Sequence, residues 1–158
     1  MQIKTTLFWG LCTLVLGISC NKNHETGDST VGSGVVTATV DGRGWASLTT
    51  VGGATFVNAI GTTTITATAA DGSAIVLAVP SGITLGKEYT VAAGTLTAQY
   101  KSNAATPIVY AATGSLGSGT VVFSEATTRK LTGTFQFTAS AAGQTDLIVS
   151  GGIFNINE

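Results

Sequence analysis

Short runs of alternating apolar and polar residues dominate the chain after residue 33. Between Thr62 and Ala69 every second residue is a threonine, and Ile65 and Ala67 lie between the threonines. The stretch 131–138 alternates in the same way. A period of two predicts β-strands that bury one face and expose the other.

The same alternation predicts which side chains point inward. The expected inward residues are Leu131, Phe135 and Phe137 in one stretch and Ile75, Leu77 and Val79 in another. About ten strands are predicted, near 34–40, 43–50, 54–60, 62–69, 73–79, 87–92, 95–100, 107–113, 119–125, 130–138 and 146–157, with one or two of these merging. No stretch after residue 20 has a convincing helical pattern.

Glycine-containing turn signals separate the predicted strands. Asp41-Gly42 and Asp71-Gly72 each lie between two alternating runs. Such a dipeptide indicates a β-hairpin, because the type I′ turn needs a positive φ at both central residues. Closely spaced hairpins without helices predict an all-β fold, an antiparallel β-sandwich of about ten strands.

A closed, lipocalin-like β-barrel is the alternative fold. Five alanines are small enough to leave space inside a barrel: Ala67, Ala69, Ala78, Ala98 and Ala112. The same alanines would equally allow two sheets to approach closely. The alternation does not separate the two architectures.

The first nineteen residues have the parts of an export signal. Lys4 supplies a positive charge, residues 7–16 are apolar, and small residues precede Cys20. A membrane-spanning helix needs about 20 apolar residues, so this stretch is too short to remain as a span. Ser19-Cys20 resembles the bacterial lipobox, in which the cysteine carries lipid chains of the palmitate type. We therefore predict a lipoprotein signal peptide at residues 1–19 and lipid attachment at Cys20; ordinary signal cleavage is the alternative.

Residues 20–33 comprise this cysteine and a polar segment without an apolar period, which predicts a flexible tether. In lipoproteins an aspartate directly after the acylated cysteine retains the protein in the inner membrane. Asn21 occupies that position here, so the resemblance implies the outer membrane of a bacterial cell envelope. Residues 34–158 are then a single all-β domain, and the leaflet stays open.

Few charges remain for electrostatic recognition. Charged residues make up 9% of the chain. Of seven basic and eight acidic residues, Lys4 is removed with the signal, which leaves a net charge of about −2. No basic stripe is present, so nucleic acid is not an expected partner. The membrane is contacted through the lipid anchor.

The domain offers few groups for catalysis. The one histidine, His24, lies in the predicted tether, and the two cysteines are Cys12 and Cys20. A Ser-His-Asp triad, a cysteine nucleophile and histidine or cysteine metal sites therefore lack their residues after position 33. Asp41 and Asp71 are interpreted as turn residues, and no pair of acids is suggested by spacing. We predict a protein that is not an enzyme and has no catalytic, cofactor-binding or metal-binding residues.

Several landmarks occur in a specific order along the domain. They are Thr39-Val40-Asp41-Gly42 with Trp45, Gly86-Lys87-Glu88-Tyr89, Tyr100, Leu131–Thr138 and Gly151-Gly152-Ile153-Phe154-Asn155-Ile156. In this order the chain resembles a group of small lipoproteins of Bacteroidota. The resemblance implies an all-β fold and a lipoprotein address, and it implies no reaction. The large aromatic residues are expected in the core.

Two functions are compatible with this pattern. The first is a non-enzymatic envelope lipoprotein whose domain contacts a protein or a neutral glycan. The second is a carrier that encloses a small apolar ligand in a barrel cavity. The identity of the partner and the oligomeric state stay open.

Overall fold

A computed structural model describes residues 34–157. The predicted signal peptide, Cys20 and the tether lie outside these residues, as does Glu158. Within the described range no helix has the length and apolar character needed to cross a membrane.

Eleven strands form the described domain, and each overlaps one predicted strand. They are β1 (Val35–Val40), β2 (Arg43–Ala46), β3 (Ala54–Ala59), β4 (Thr62–Thr68), β5 (Ala74–Pro80), β6 (Glu88–Thr90), β7 (Thr97–Lys101), β8 (Val109–Ala112), β9 (Ser118–Ala126), β10 (Lys130–Ala139) and β11 (Leu147–Asn157). The all-β prediction is confirmed, and residues 34–157 contain no helix. Strand β2 is shorter than predicted and ends at Ala46. The next residue, Ser47, still donates its backbone N–H to Val36 of β1 and also forms an isolated bridge to Ala69 of the other sheet.

The strands form two antiparallel sheets. One has six strands in the order β2-β1-β11-β10-β9-β6, and the other has five in the order β3-β4-β5-β7-β8. The predicted antiparallel β-sandwich is therefore confirmed. The alternative of a closed barrel is wrong, because the strands of residues 34–157 form two sheets that are joined by isolated bridges and not by a continuous ladder.

The six-stranded sheet has two ends that matter for the site. One end, called the Gly34 end, contains the first described residue and the last residue of β11, Asn157. The other end, called the Asp41 end, contains the β1–β2 turn and Leu147 at the start of β11. Strand β1 runs from the first end to the second.

The five-stranded sheet crosses the six-stranded sheet. At the Gly34 end, a Cβ added to Gly34 would lie 2.5 Å from the carbonyl oxygen of Ala54, at the start of β3. At the other end, Ala111 of β8 and Ser140 after β10 exchange backbone hydrogen bonds of 2.9 and 3.0 Å. Edge strands β3 and β8 thus lie at opposite ends of the first sheet. The strands of the two sheets therefore run across each other, as in orthogonal sandwiches.

Burial follows the predicted alternation. Ile65 and Ala67 are buried, while Thr66 of the same strand is exposed. The predicted inward residues Leu131, Phe135, Phe137, Ile75, Leu77 and Val79 are all buried. Thr63 is also buried, and its hydroxyl donates a hydrogen bond to Asn58 Oδ1 at 2.8 Å.

Small residues allow the core to be filled. Ala67, Ala98 and Ala112 have no exposed surface and let the sheets approach closely. Ala78, also one of the five alanines considered for a barrel lumen, pairs with Thr64 on the outer face of the sheet. A glycine also allows close packing against an aromatic ring: a Cβ on Gly152 would lie 2.6 Å from the ring of Phe135.

Candidate functional site

Polar and aromatic side chains meet in a cleft at the Asp41 end of the sandwich. Its volume is about 470 Å³, within the range of about 300–1,000 Å³ typical of small-molecule sites. The cleft is lined by Val40, Asp41, Arg43, Gly44, Trp45, Asp71, Tyr100, Asn103 and Leu147. These residues come from the β1–β2 hairpin and β11 of one sheet, and from the β4–β5 turn and the end of β7 of the other.

The β1–β2 turn forms one wall of the cleft. Asp41 and Gly42 have φ values of 46° and 77°, the positive values that a type I′ turn requires. The Asp41 backbone N–H donates to the carbonyl of Ile148 at 2.9 Å. The Ile148 N–H donates to Asp41 Oδ1 at 2.8 Å. These two bonds hold the turn against β11 and occupy one carboxylate oxygen.

The β4–β5 turn forms the opposite wall. Asp71 Oδ1 accepts hydrogen bonds from the backbone N–H of Ser73 at 2.9 Å and from its hydroxyl at 2.6 Å. The Ser73 hydroxyl is fully buried and accepts a bond from Trp45 Nε1 at 2.8 Å. One chain of hydrogen bonds therefore links the two sheets beneath the cleft.

The hydrogen bonds also affect the pKa of Asp71. The Ser73 hydroxyl, and after it the Ser73 backbone N–H, hold the pKa of this carboxyl below its ordinary value of 3.8. Both donors stabilise the ionised form. Asp71 is consequently an anion throughout the neutral pH range.

The end of β7 supplies the remaining polar and aromatic groups. Asn103 Nδ2 donates a hydrogen bond to Asp71 Oδ2 at 3.0 Å. Tyr100 is half-buried, and its ring lies 6.4 Å from that of Tyr110 at an angle of 51°. The cleft is thus lined by an aromatic residue and by a fixed carboxylate–amide pair.

Arg43 adds a guanidinium to the two carboxylates of the cleft. The one ion pair within residues 34–157 joins Lys130 to Glu125 and lies elsewhere. No group of three or more His, Cys, Asp or Glu side chains in the described chain is arranged to hold a metal ion. The cleft combines three charged side chains with hydrogen-bonding groups and aromatic residues.

Four acidic side chains of the domain have defined partners in the structure. Asp41 and Asp71 are turn residues as predicted, and the fold brings both to one cleft, which their spacing did not reveal. Glu125 pairs with Lys130 at 2.7 Å. Asp146 Oδ1 accepts a bond from the Ser140 hydroxyl at 2.7 Å.

The sequence pattern did not predict the remaining cleft residues as parts of a site. Trp45 was expected in the core, and with 9% of its surface exposed it is a core residue that also borders the cleft. Arg43 and Asn103 were not singled out. The only local signal was two Asp-Gly turns, and nothing in the sequence pattern indicated that these turns meet.

Comparison with known proteins identifies a family and no closer relative. The family described as "Domain of unknown function (DUF6252)" matches residues 32–156. No curated protein and no solved structure gives a significant match. Because the family match covers most of the sequence, including nearly all of the described sandwich, the chain belongs to the DUF6252 family.

Proposed function

We propose that this protein is a non-enzymatic lipoprotein of the bacterial cell envelope. Acylated Cys20 holds it in the outer membrane, and its β-sandwich contacts a protein or glycan partner. The observation that carries the proposal is the cleft at the Asp41 end, where aromatic and hydrogen-bonding side chains from both sheets converge.

The cleft is better suited to binding than to proton transfer. One oxygen of Asp41 is used to hold β11, and both oxygens of Asp71 accept bonds from neighbouring side chains. A general acid works best when its pKa lies near the working pH. The lowered pKa of Asp71 is unfavourable for that role at neutral pH.

The position of the cleft fits a lipid anchor on the preceding segment. Gly34 and the Asp41 turn lie at opposite ends of β1, about 20 Å apart for a strand of this length. The segment 20–33 can reach at most about 45–50 Å when fully extended. A chain anchored through this segment has its attachment point at the end away from the cleft, so the cleft can face outward from the membrane.

The carrier alternative receives no comparable support. It depended on a closed barrel with an internal lumen. The strands form two sheets and not one closed ladder, and three of the five alanines considered for that lumen are packed without exposed surface.

Fractionation of the full-length protein in a bacterial host tests the anchor. We expect the wild type in the outer-membrane fraction, with a lipid-modified N-terminal peptide beginning at Cys20 in mass spectrometry. Cys20→Ala should abolish acylation and processing at residue 19. Cys12→Ala is the matched control, since Cys12 lies in the predicted signal and its loss should leave acylation intact.

A soluble wild-type protein with an unmodified N-terminus would contradict the proposal. So would normal acylation of the Cys20→Ala variant.

A further inference from the structure

We infer that the cleft at the Asp41 end binds a neutral saccharide, with the rings of Trp45 and Tyr100 facing the sugar and Asp71, Asn103 and Arg43 hydrogen-bonding its hydroxyl groups. This inference rests on the proposed function, because it names the partner class of that same binding module. Its support lies in the rings, the polar groups and the charge of the cleft.

The aromatic rings are held in place before any ligand arrives. The indole N–H of Trp45 is bonded to the buried Ser73 hydroxyl, and this bond fixes the orientation of the ring. Tyr100 packs against Tyr110, with its ring half-buried. Tyrosine and tryptophan combine an apolar body with a polar tip. Such rings fit a sugar, which has apolar C–H faces bordered by hydroxyl groups.

The polar groups of the cleft match vicinal hydroxyls. The Asp71 carboxylate and the Asn103 amide are joined at 3.0 Å and therefore present acceptors and a remaining N–H in a fixed arrangement. Arg43 contributes up to five N–H donors in a planar fork. A sugar hydroxyl both donates and accepts, so neighbouring hydroxyls can be bound by this mixed set.

The charge of the cleft favours a neutral ligand. Two carboxylates, Asp41 and Asp71, border it together with one guanidinium, Arg43. An anionic ligand would meet a net negative site, and like charges at close range are repulsive. A neutral polyhydroxylated molecule does not meet this repulsion. It also does not need several carboxylate ligands, which a calcium ion would need.

Pre-organisation lowers the cost of binding. Asp71, Ser73 and Trp45 are already linked by hydrogen bonds of 2.6 and 2.8 Å. Side chains that are ordered in the free protein do not lose rotamer freedom when the ligand binds. This property distinguishes the cleft from an ordinary exposed surface rich in hydroxyls.

A second hollow provides an internal comparison. It lies on the six-stranded sheet and is lined by Thr120, Thr134, Phe135, Gln136, Gly151, Gly152 and Ile153. Its volume, about 410 Å³, is similar to that of the cleft. Its one aromatic residue, Phe135, is only 3% exposed. The hollow therefore has hydroxyl and amide groups without an accessible aromatic surface.

Tryptophan fluorescence gives a direct readout of the cleft. The chain has two tryptophans, Trp9 and Trp45, and Trp9 lies in the signal that we propose is removed. The mature protein, purified in detergent, should be titrated with neutral α- and β-glucan, xylan and mannan oligosaccharides. Polygalacturonate fragments serve as the anionic counterpart, and calorimetry supplies the dissociation constants.

We expect at least one neutral oligosaccharide to shift the emission of Trp45 and to bind more tightly than polygalacturonate. Asn103→Ala and Arg43→Ala should each weaken this binding at least ten-fold; both residues are exposed, so the fold should be retained. Thr134→Ala and Gln136→Ala, in the second hollow, should leave the affinity within two-fold of the wild type.

Three results would overturn the inference: no binding of any neutral saccharide, a preference for the anionic one, or binding lost in the Gln136→Ala variant and kept in Asn103→Ala. None of them affects the acylation of Cys20, so the anchor proposal stands or falls separately. A correctly acylated wild type that binds no saccharide would overturn the saccharide inference and would leave the anchor proposal intact.

Discussion

At the scale of single residues, the buried hydroxyl of Ser73 links the core to the cleft. It has no exposed surface, accepts a hydrogen bond from Trp45 and donates one to Asp71. Buried polar groups are nearly always satisfied in this way. No buried side-chain nitrogen or oxygen of the described residues lacks a partner. The cleft therefore depends on a residue that does not itself line it.

We predict that Ser73→Ala lowers the free energy of unfolding by about 1–3 kcal/mol, because the buried indole N–H of Trp45 loses its acceptor. Urea denaturation at neutral pH measures this change. Ser150→Ala is the matched control: Ser150 is exposed, and its loss should change stability by less than about 0.5 kcal/mol. Equal losses in the two variants would contradict the role given to Ser73.

The same variant has a predicted pH signature. The Ser73 hydroxyl is the largest cause of the lowered pKa of Asp71, so its removal should move that pKa up towards 3.8. A carboxyl with a lowered folded pKa adds stability that is present above its unfolded value and lost as the pH falls through the folded value. As the pH falls from neutral through 3.8 and on through the lower folded pKa, the wild type should therefore lose more stability through Asp71 than Ser73→Ala does. NMR titration of the Asp71 carboxyl gives the direction of the shift directly.

At the scale of elements, β10 is one of the two central strands of the six-stranded sheet. It pairs with β9 on one side and β11 on the other. Phe135 and Phe137 point into the core, and their rings are stacked with centroids 6.3 Å apart. Thr134 and Gln136 lie on the opposite, exposed face of the strand. This strand therefore tests the inward and outward assignment most directly.

Phe135→Ala and Phe137→Ala should each lower the free energy of unfolding by about 3–5 kcal/mol, because each leaves a cavity in a packed core. Thr134→Ala and Gln136→Ala should each cost less than about 1 kcal/mol. A denaturant series on the four variants makes the comparison. Similar losses on both faces would show that the face assignment is wrong.

Glycine positions under aromatic rings are a second property of the central strands. A Cβ on Gly152 would lie 2.6 Å from Phe135, whereas a Cβ on Gly44 in β2 would meet nothing within 4 Å. We expect Gly152→Ala to destabilise the domain by about 1–3 kcal/mol through overpacking. Gly44→Ala should remain within about 0.5 kcal/mol of the wild type.

Thermal unfolding monitored by circular dichroism measures this pair of glycine variants. If Gly152→Ala is as stable as Gly44→Ala, the close approach of β11 to the Phe135 ring is not a constraint on the fold.

At the scale of the whole molecule, the crossing of the two sheets produces both the packed core and the cleft. Strand β3 lies at the Gly34 end and β8 at the Asp41 end. The β4–β5 turn is thereby brought to the β1–β2 hairpin, and the cleft opens between them. A sandwich with aligned sheets would place these two turns differently. Gly34, where the described residues begin, is separated from the cleft by the length of β1.

The sequence by itself determined the strands and their inward faces. An alternation of period two predicts which side chains can be buried together, and an Asp-Gly dipeptide predicts where the chain reverses. Both patterns are local properties of the sequence. This is why the eleven predicted ranges and the inward rows of β4, β5 and β10 agree with the structure. The signal peptide and Cys20 are also local patterns, and they stay predictions because they lie outside residues 34–157.

Only the tertiary structure decided between sandwich and barrel and assembled the cleft. The bonds that build the cleft join residues far apart in the chain: Trp45 to Ser73, Asn103 to Asp71, and Ile148 to Asp41, the last pair 107 positions apart. A strand pattern specifies a buried face but not the sheet that covers it, and two sheets of alternating strands can pack in more than one orientation. The site depends on that orientation, so the local pattern identified its turns without showing that they meet.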